Sequence, residues 1–161
     1  MLKDPECSAR YEESLQAADN PGLALLPKEP TREAVLRLQD HLATLPQVHT
    51  EPVHYFAPGM YGRELSIPAD TIMVGKIHRH QHITMLIKGE ATINTDKGME
   101  RIAAPYVWIS QVNAKRALVT QTDCVFFTCH LNASDTQDLD VLEAELIEPE
   151  VIALTAQGVL E

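Results

Sequence analysis

The sequence predicts a mostly β protein in which one small barrel is flanked by a helix on each side. Between residues 48 and 131, short apolar and β-branched runs alternate with turn signals about every 8–12 residues, which is typical of a sandwich or barrel. Two segments outside this region carry apolar residues at helical spacing instead. We therefore divide the chain into an N-terminal helical extension (1–47), a barrel (48–131) and a C-terminal acidic helix and tail (132–161).

The first helix is predicted over residues 31–45. Thr31 is a typical N-cap residue, and Pro46 ends the helical pattern. One apolar stripe runs between them, made by Val35, Leu38, Leu42 and Leu45. We expect this stripe to pack on the outside of the barrel or on a partner subunit.

The second helix is predicted over residues 136–147, before Pro149. Ser134 and Gln137 have the spacing of a capping box. The buried stripe consists of Leu139, Leu142 and Leu146, with acidic residues opposite. A brief apolar tail at 151–154 is expected to add a strand to a sheet edge or to dock on a second copy. This tail and the stripe of the first helix predict a homo-oligomer, most simply a dimer.

Charge and composition exclude several classes of protein. The net charge is −10, and no Lys or Arg follows Arg116, so phosphate backbones would repel the chain and we expect no nucleic-acid partner. There is no apolar run of about 18 residues, so we expect no membrane partner. The three cysteines do not form a disulfide framework, which favours a reduced, cytoplasmic setting. The sequence has no Ser-His-Asp spacing, glycine-rich phosphate loop or Cys-x-x-Cys motif.

Three histidines stand at alternate positions, at His78, His80 and His82. In an unbroken strand, alternate side chains share one face, so these imidazoles are predicted to form a metal site. His130 closes a strand-like run and is a further candidate from a neighbouring strand. Glu64 is a candidate to complete the ligand set or, alternatively, a carboxylate paired with an arginine. Neutral imidazoles of this kind suit Zn, Fe, Mn or Ni.

The stretch from residue 75 to 90 resembles the first motif of the cupin superfamily. His78 falls on the second histidine of the motif, His82 on its glutamate and Gly89 on its closing glycine, while Lys76 replaces the first histidine. In the second motif, Arg116 stands where the family has its last histidine. The resemblance implies a cupin-type double-stranded β-helix, or jelly-roll barrel, that keeps two of the four ligand positions of the family.

A longer stretch, from residue 56 to about 147, is similar to a group of small cupin-like proteins of tailed bacteriophages. The residues that carry this similarity are Phe56–Glu64, Gly75–His78, His82, Lys88, Gly89, Ala104–Tyr106, Lys115–Ala117, Thr122, Asp123, His130, Asp138–Asp140, Leu142 and Glu143. The similarity implies a phage or prophage origin and a place in the host cytoplasm, in the virion or near it. It implies no particular reaction.

Two cations accompany the predicted site, Lys76 and Arg116. Positive charges disfavour a divalent ion and favour an anionic ligand, such as a carboxylate or phosphate. Arg116 would then be the fork-shaped anchor and Lys76 the point charge. The alternative is a polar barrel mouth without metal, held by hydrogen bonds.

Three classes of function follow from these observations. The chain is a metal- or ligand-binding protein without catalysis, a metal-dependent enzyme such as an oxygenase, isomerase or lyase, or a phage structural or assembly protein that uses the barrel as a scaffold. Metal content separates the first two classes from the third, and association with phage particles separates the third from both.

Overall fold

Nine strands form two antiparallel sheets in the computed structural model, which describes residues 21–27, 31–96 and 98–149. The five-stranded sheet has the order β1-β2-β9-β4-β7, and the four-stranded sheet has the order β3-β8-β5-β6. This confirms the predicted jelly-roll barrel with flanking helices. The strands are β1 (Val53–Ala57), β2 (Met60–Ile67), β3 (Ile72–Val74), β4 (His82–Lys88), β5 (Glu90–Thr95), β6 (Gly98–Ala103), β7 (Tyr106–Ser110), β8 (Ala117–Thr120) and β9 (Cys124–Leu131).

The first helix, α1 (Arg32–Leu42), follows a short 3-10 helix (Pro21–Leu25); it begins one residue later and ends three residues earlier than predicted. Thr31 caps it by accepting a hydrogen bond from the amide of Ala34. The apolar stripe packs on the outer face of the four-stranded sheet, where Val35 and Leu38 are buried. The stripe is therefore used within the chain. None of the helices in the described segments has the length and apolar content needed to cross a bilayer.

The second helix, α2 (Leu139–Leu146), begins three residues later than predicted. Its cap is Asp138, whose carboxylate accepts hydrogen bonds from the amides of Asp140 and Val141. The predicted capping box was wrong, because the hydroxyl of Ser134 bonds instead to side chains at Asn132 and Glu145. The predicted apolar tail at 151–154 lies outside the described residues.

The main core lies between the two sheets, at the end of the barrel where β4 ends and β9 begins. Apolar side chains from both sheets fill it, namely Ile67, Leu86, Ala91, Ile93, Ile102, Leu118, Cys124 and Phe126. Trp108 packs against this core and is half-buried, as the sequence predicted for a packing residue. Cys124 points into the core and Cys129 to the opposite face, and both are free thiols.

The two sheets differ in what covers their outer faces. Helix α1 covers the four-stranded sheet, whereas no described helix packs on the outer face of the five-stranded sheet. That face, called here the open sheet face, exposes a group of large apolar side chains: Val53, Tyr55, Met60, Ile83, Val107, Ile109 and Leu131. Ile109 and Leu131 remain 60% and 62% exposed, so this surface is unusually apolar for a strand face.

Gly89, the closing glycine of the motif, is expected to be irreplaceable because of its backbone and its neighbours. Its φ is +89°, and a Cβ there would collide with the carbonyl oxygen of Asp123 and lie 2.8 Å from the sulfur of Cys124. Gly59 is a matched control, because its φ is +71° but a Cβ would meet nothing within 4 Å. We expect Gly59→Ala to cost about 1 kcal/mol and Gly89→Ala about 3 kcal/mol or more in urea unfolding. Equal costs would contradict this account.

Candidate metal centre

The segment that carries the histidine motif is a crossover between the sheets. β3 belongs to the four-stranded sheet and β4 to the five-stranded sheet, so residues 75–81 must leave one and join the other. His78 forms a single bridge with Ile147, and the chain bends directly after it. The expectation that His78, His80 and His82 share one face of a strand was therefore wrong. His80 is exposed and lies apart from the other two.

β9 brings the third histidine to the site. It pairs with β2 on one side and β4 on the other, and Tyr61 lies opposite His130. Because Ile83 pairs with Cys129, His82 and His130 are the next residues along these two strands. The inner face of the five-stranded sheet thus carries a row of side chains, here called the histidine row: Tyr61, His130, His82 and Ser110.

The imidazoles of His78, His82 and His130 form a compact cluster, here called the triad. Their ring centroids are 4.1 Å apart for His78 and His82, 4.4 Å for His82 and His130, and 5.2 Å for His78 and His130. One nitrogen from each ring lies within 4.8 Å of the others. A shared metal with bonds of about 2.1 Å needs nitrogens about 3–4 Å apart, so small ring rotations complete the site. The donor set fits a transition metal.

Burial keeps the triad neutral, which is the state a metal requires. The pKa of His78 and that of His130 are lowered from 6.5 to about 3, mainly by desolvation, with smaller contributions from His82 and Arg63 to both and from His78 to His130. The pKa of His82 is also lowered, mainly by burial. Neutral imidazole has a free lone pair, so all three rings can coordinate at neutral pH without first losing a proton.

Arg63 lies in the row next to the triad, although neither cupin motif includes it. Its positive charge contributes to the lowered pKa of all three histidines. Its Nε is buried and has no hydrogen-bond partner. A signal was available in the sequence, because alternation along β2 puts Arg63 on the same face as Tyr61.

Helix α2 covers this end of the barrel. Leu142 and Leu146 pack against Tyr61, whose ring also stacks on His130 at 5.9 Å. The segment after the helix pairs with the crossover, since the amide of Glu148 donates to the carbonyl of Ile77 over 2.9 Å. Helix α2 and the segment that follows it therefore contact the same residues that hold the triad in place.

The structure does not bring the other predicted site residues to the triad. The ammonium of Lys76 binds Glu143 of α2 at the protein surface. The guanidinium of Arg116 donates to the carbonyl of Asn94 and pairs with Asp96. Glu64 lies on the outer side of β2, where it accepts a hydrogen bond from the hydroxyl of Tyr55. Their roles in binding a ligand stay predictions.

Comparison with known proteins identifies the fold. The sequence matches no protein-family model and no curated protein sequence. Among solved structures, it is similar to ectoine synthase from P. lautus, with a TM-score of 0.50 and 14% identity over 71% of this chain and 85% of that chain. It is also similar to a cupin-2 domain containing protein from Shewanella frigidimarina, with a TM-score of 0.44 and 8% identity over 58% of this chain and 91% of that chain.

An acetylacetone dioxygenase from Acinetobacter johnsonii is similar as well, with a TM-score of 0.42 and 16% identity over 51% of this chain and 58% of that chain. At such identities the similarity shows the fold alone. The chain has a cupin-type fold, while its resemblance to phage proteins stays a prediction.

The lowered histidine pKa values predict that the metal-free protein is destabilised by mild acid. Unfolded His78 and His130 titrate near 6.5 and the folded ones near 3, so between these values the unfolded state binds more protons. Stability therefore falls as pH drops below about 6.5 and stops falling, for these groups, near 3. Allowing for partial exposure, we expect a loss of about 2 kcal/mol between pH 8 and pH 5.

Urea unfolding with a chelator present would measure this loss. His78→Asn removes one of the two titrating groups and should reduce the difference between pH 8 and pH 5 by about half, whereas His49→Asn, at an exposed position, should leave it unchanged. A difference that is the same in both variants would contradict burial of a neutral His78.

Proposed function

We propose that this protein binds one divalent transition-metal ion through His78, His82 and His130 and presents it to a small anionic ligand inside a cupin-type barrel. The observation that carries the proposal is the convergence of three imidazole nitrogens within 4.8 Å of one another. The ligands come from the crossover, from β4 and from β9, so three different parts of the fold hold them. Such a site is preorganised rather than assembled by a flexible loop.

The number of ligands favours a site that binds or reacts over a purely structural one. Structural zinc sites have four protein ligands, whereas sites with three keep a position open for water or a substrate. In the described part of the chain, the cluster contains three donors and no carboxylate. Zn, Fe, Mn and Ni all suit this set.

The same geometry would serve the metal-dependent enzymes that the sequence suggested as an alternative, namely an oxygenase, isomerase or lyase. A metal bound here would act as a Lewis acid or would orient a substrate at its open positions. We propose binding of the metal and of a small anionic ligand as the function. Any reaction would depend on which ligand binds.

Metal content tests the proposal directly. Wild-type protein, purified without chelator and loaded with Zn²⁺, is expected to retain about one equivalent by elemental analysis. His82→Ala and His130→Ala should reduce metal affinity at least about 100-fold, because each removes one of three ligands. His80→Ala is a matched control from the same segment and should retain the metal fully.

Two outcomes would contradict the metal proposal. One is wild-type protein that retains none of the four metals, Zn²⁺, Ni²⁺, Mn²⁺ and Fe²⁺, after desalting. The other is loss of metal in His80→Ala to the same extent as in His82→Ala. Either result would favour the alternative, a polar barrel end held by hydrogen bonds and ring stacking.

We also propose that the protein is a homodimer whose copies meet at the open sheet face. The stripe of α1 that first suggested an oligomer packs on the four-stranded sheet of the same chain. The open sheet face is the surface that now supports a dimer. Among its strand positions, only Glu64 and Lys88 are charged, so two copies with a net charge of −10 meet here with little repulsion. Its exposed apolar residues amount to roughly 600 Å² per chain, close to the roughly 800 Å² per partner of a standard interface.

Light scattering would test the dimer. We expect wild-type protein to have twice the mass of the 17.9 kDa chain at micromolar concentration. Val107→Lys with Ile109→Lys should give a monomer, because two lysines on each copy would have to be buried and would repel. Val141→Lys, at an exposed apolar position on α2, is the control and should remain dimeric. A wild-type monomer would contradict this proposal.

The scaffold function that the phage resemblance implies is the second candidate. The observation that favours it is again the open sheet face, since an assembly protein needs an apolar surface for its neighbours. Detection of this chain in fixed ratio to the capsid protein in purified phage particles would support it. Absence of the chain from such particles would favour the binding function.

A further inference from the structure

We infer that Arg63 binds the anionic group of the ligand at the triad, and that this ligand is a small carboxylate or similar oxyanion bridging Arg63 and the metal. The inference deepens the proposed metal function and in part depends on it. It replaces the two cations that the sequence suggested, Lys76 and Arg116, with a residue that the motifs do not include.

The strand register puts Arg63 beside the triad. It follows Tyr61 by two residues on β2, so it is the next inward side chain after the one that stacks on His130. Its cross-strand partners are His54 of β1 and Thr128 of β9, and Thr128 in turn pairs with Thr84 of β4. The second row on the inner face is thus His54, Arg63, Thr128, Thr84 and Trp108.

A third row closes the barrel below the second one. It consists of Leu65, Phe126, Leu86 and Tyr106 and belongs to the apolar core. The polar interior is therefore only two rows deep, between this core and the cover formed by α2. A ligand that bridges the triad and Arg63 would therefore be a small one.

Arg63 has no counter-charge among these neighbours. Across the three rows, every other side chain is neutral once the histidines are unprotonated. In the segments that the structure describes, no carboxylate forms an ion pair with the guanidinium of Arg63, and its Nε is buried without a partner. On the facing side of the four-stranded sheet, Ile93 and Leu118 are apolar, and the carboxylate of Glu100 accepts a hydrogen bond from the hydroxyl of Tyr106.

Charge balance then indicates what binds. A divalent ion at the triad and a guanidinium in the next row are like charges that share a low-dielectric interior, which is costly unless an anion joins them. A carboxylate can give one oxygen to the metal and the other to the arginine fork. The hydroxyls of Thr84 and Ser110, which bond to each other over 2.8 Å, supply neutral polar partners in the same region.

The two cations predicted from sequence are already engaged elsewhere. Lys76 is paired with Glu143 at the surface, and Arg116 with Asp96 and a backbone carbonyl. Each has a carboxylate partner within the chain, whereas Arg63 has none in the described residues. Of these three cations, Arg63 is therefore the one that we assign to an incoming anion.

Calorimetric titration with oxalate, and separately with inorganic phosphate, tests the inference on Zn²⁺-loaded and on metal-free protein. We expect Arg63→Gln to weaken oxalate binding about 10- to 100-fold, since one charge-assisted hydrogen-bonding partner is lost. Arg63→Lys keeps the charge but loses the fork, so intermediate weakening is expected. Lys76→Gln and Arg116→Gln are matched controls and should stay within about twofold of wild type.

Metal content of the same samples separates this inference from the proposed function. If the wild type retains no metal, the metal proposal fails, while weaker oxalate binding by metal-free Arg63→Gln would still support the role of Arg63. If Arg63→Gln binds both anions as tightly as wild type, with full metal content, the inference is overturned and the metal proposal stands. Failure of wild type to bind either anion also overturns it. If Arg63→Gln does not fold, the comparison of Arg63→Lys with Lys76→Gln decides.

Discussion

The pairing of β9 with both β2 and β4 is the constraint on which the site depends. It fixes His130 between Tyr61 and His82, and it places Arg63 one inward-facing position further from the end of the barrel that α2 covers. A slip of one residue in either register would turn His130 or His82 to the open sheet face and abolish the cluster. Phe126 and Leu86 are buried two inward-facing positions further along the same strands. They resist such a slip, because the slip would expose both side chains.

The interior changes character along these strands, and the change explains where function can reside. At one end, apolar residues from both sheets pack in the ordinary way of a barrel core. At the other end, three imidazoles and one guanidinium occupy positions that stability alone would fill with leucine or valine. Burying these groups costs free energy, which lowers the pKa of His78 and His130 to about 3. Ionisable groups kept inside a barrel at such a cost mark this end as the candidate functional site.

The sequence predicted much of the fold and part of the site, for physical reasons that differ. Strand periodicity and turn residues are local signals, so the barrel and both helices could be predicted with small errors at their ends. The cupin-like motif singled out His78 and His82, which the fold brings together, and the strand-like run before His130 indicated its approach from a neighbouring strand. The prediction that His80 joins the site was wrong, because side chains alternate between faces only within a strand, and residues 75–81 cross from one sheet to the other.

Arg63 was missed because its role depends on long-range contacts. In the described residues, its buried Nε has no hydrogen-bond partner, and no local sequence pattern encodes that property. Lys76 and Arg116 attracted attention because they replace motif histidines, yet acidic residues close in space, Glu143 and Asp96, pair with them. Such pairing becomes visible only when the topology is known.

The cover over the site is coupled to the site itself. His78 lies in the crossover, which forms its only described β-bridge with Ile147, the C-cap residue that follows α2. The amide of Arg79 donates to the carbonyl of Leu146, and Leu146 packs against Tyr61 of the histidine row. Displacing α2 therefore removes both the roof over the triad and the contacts that hold His78 toward His82. Because the roof over the triad and the position of His78 depend on the same helix, the ligand entry and the metal affinity proposed above would both respond to whatever stabilises α2 in its docked position.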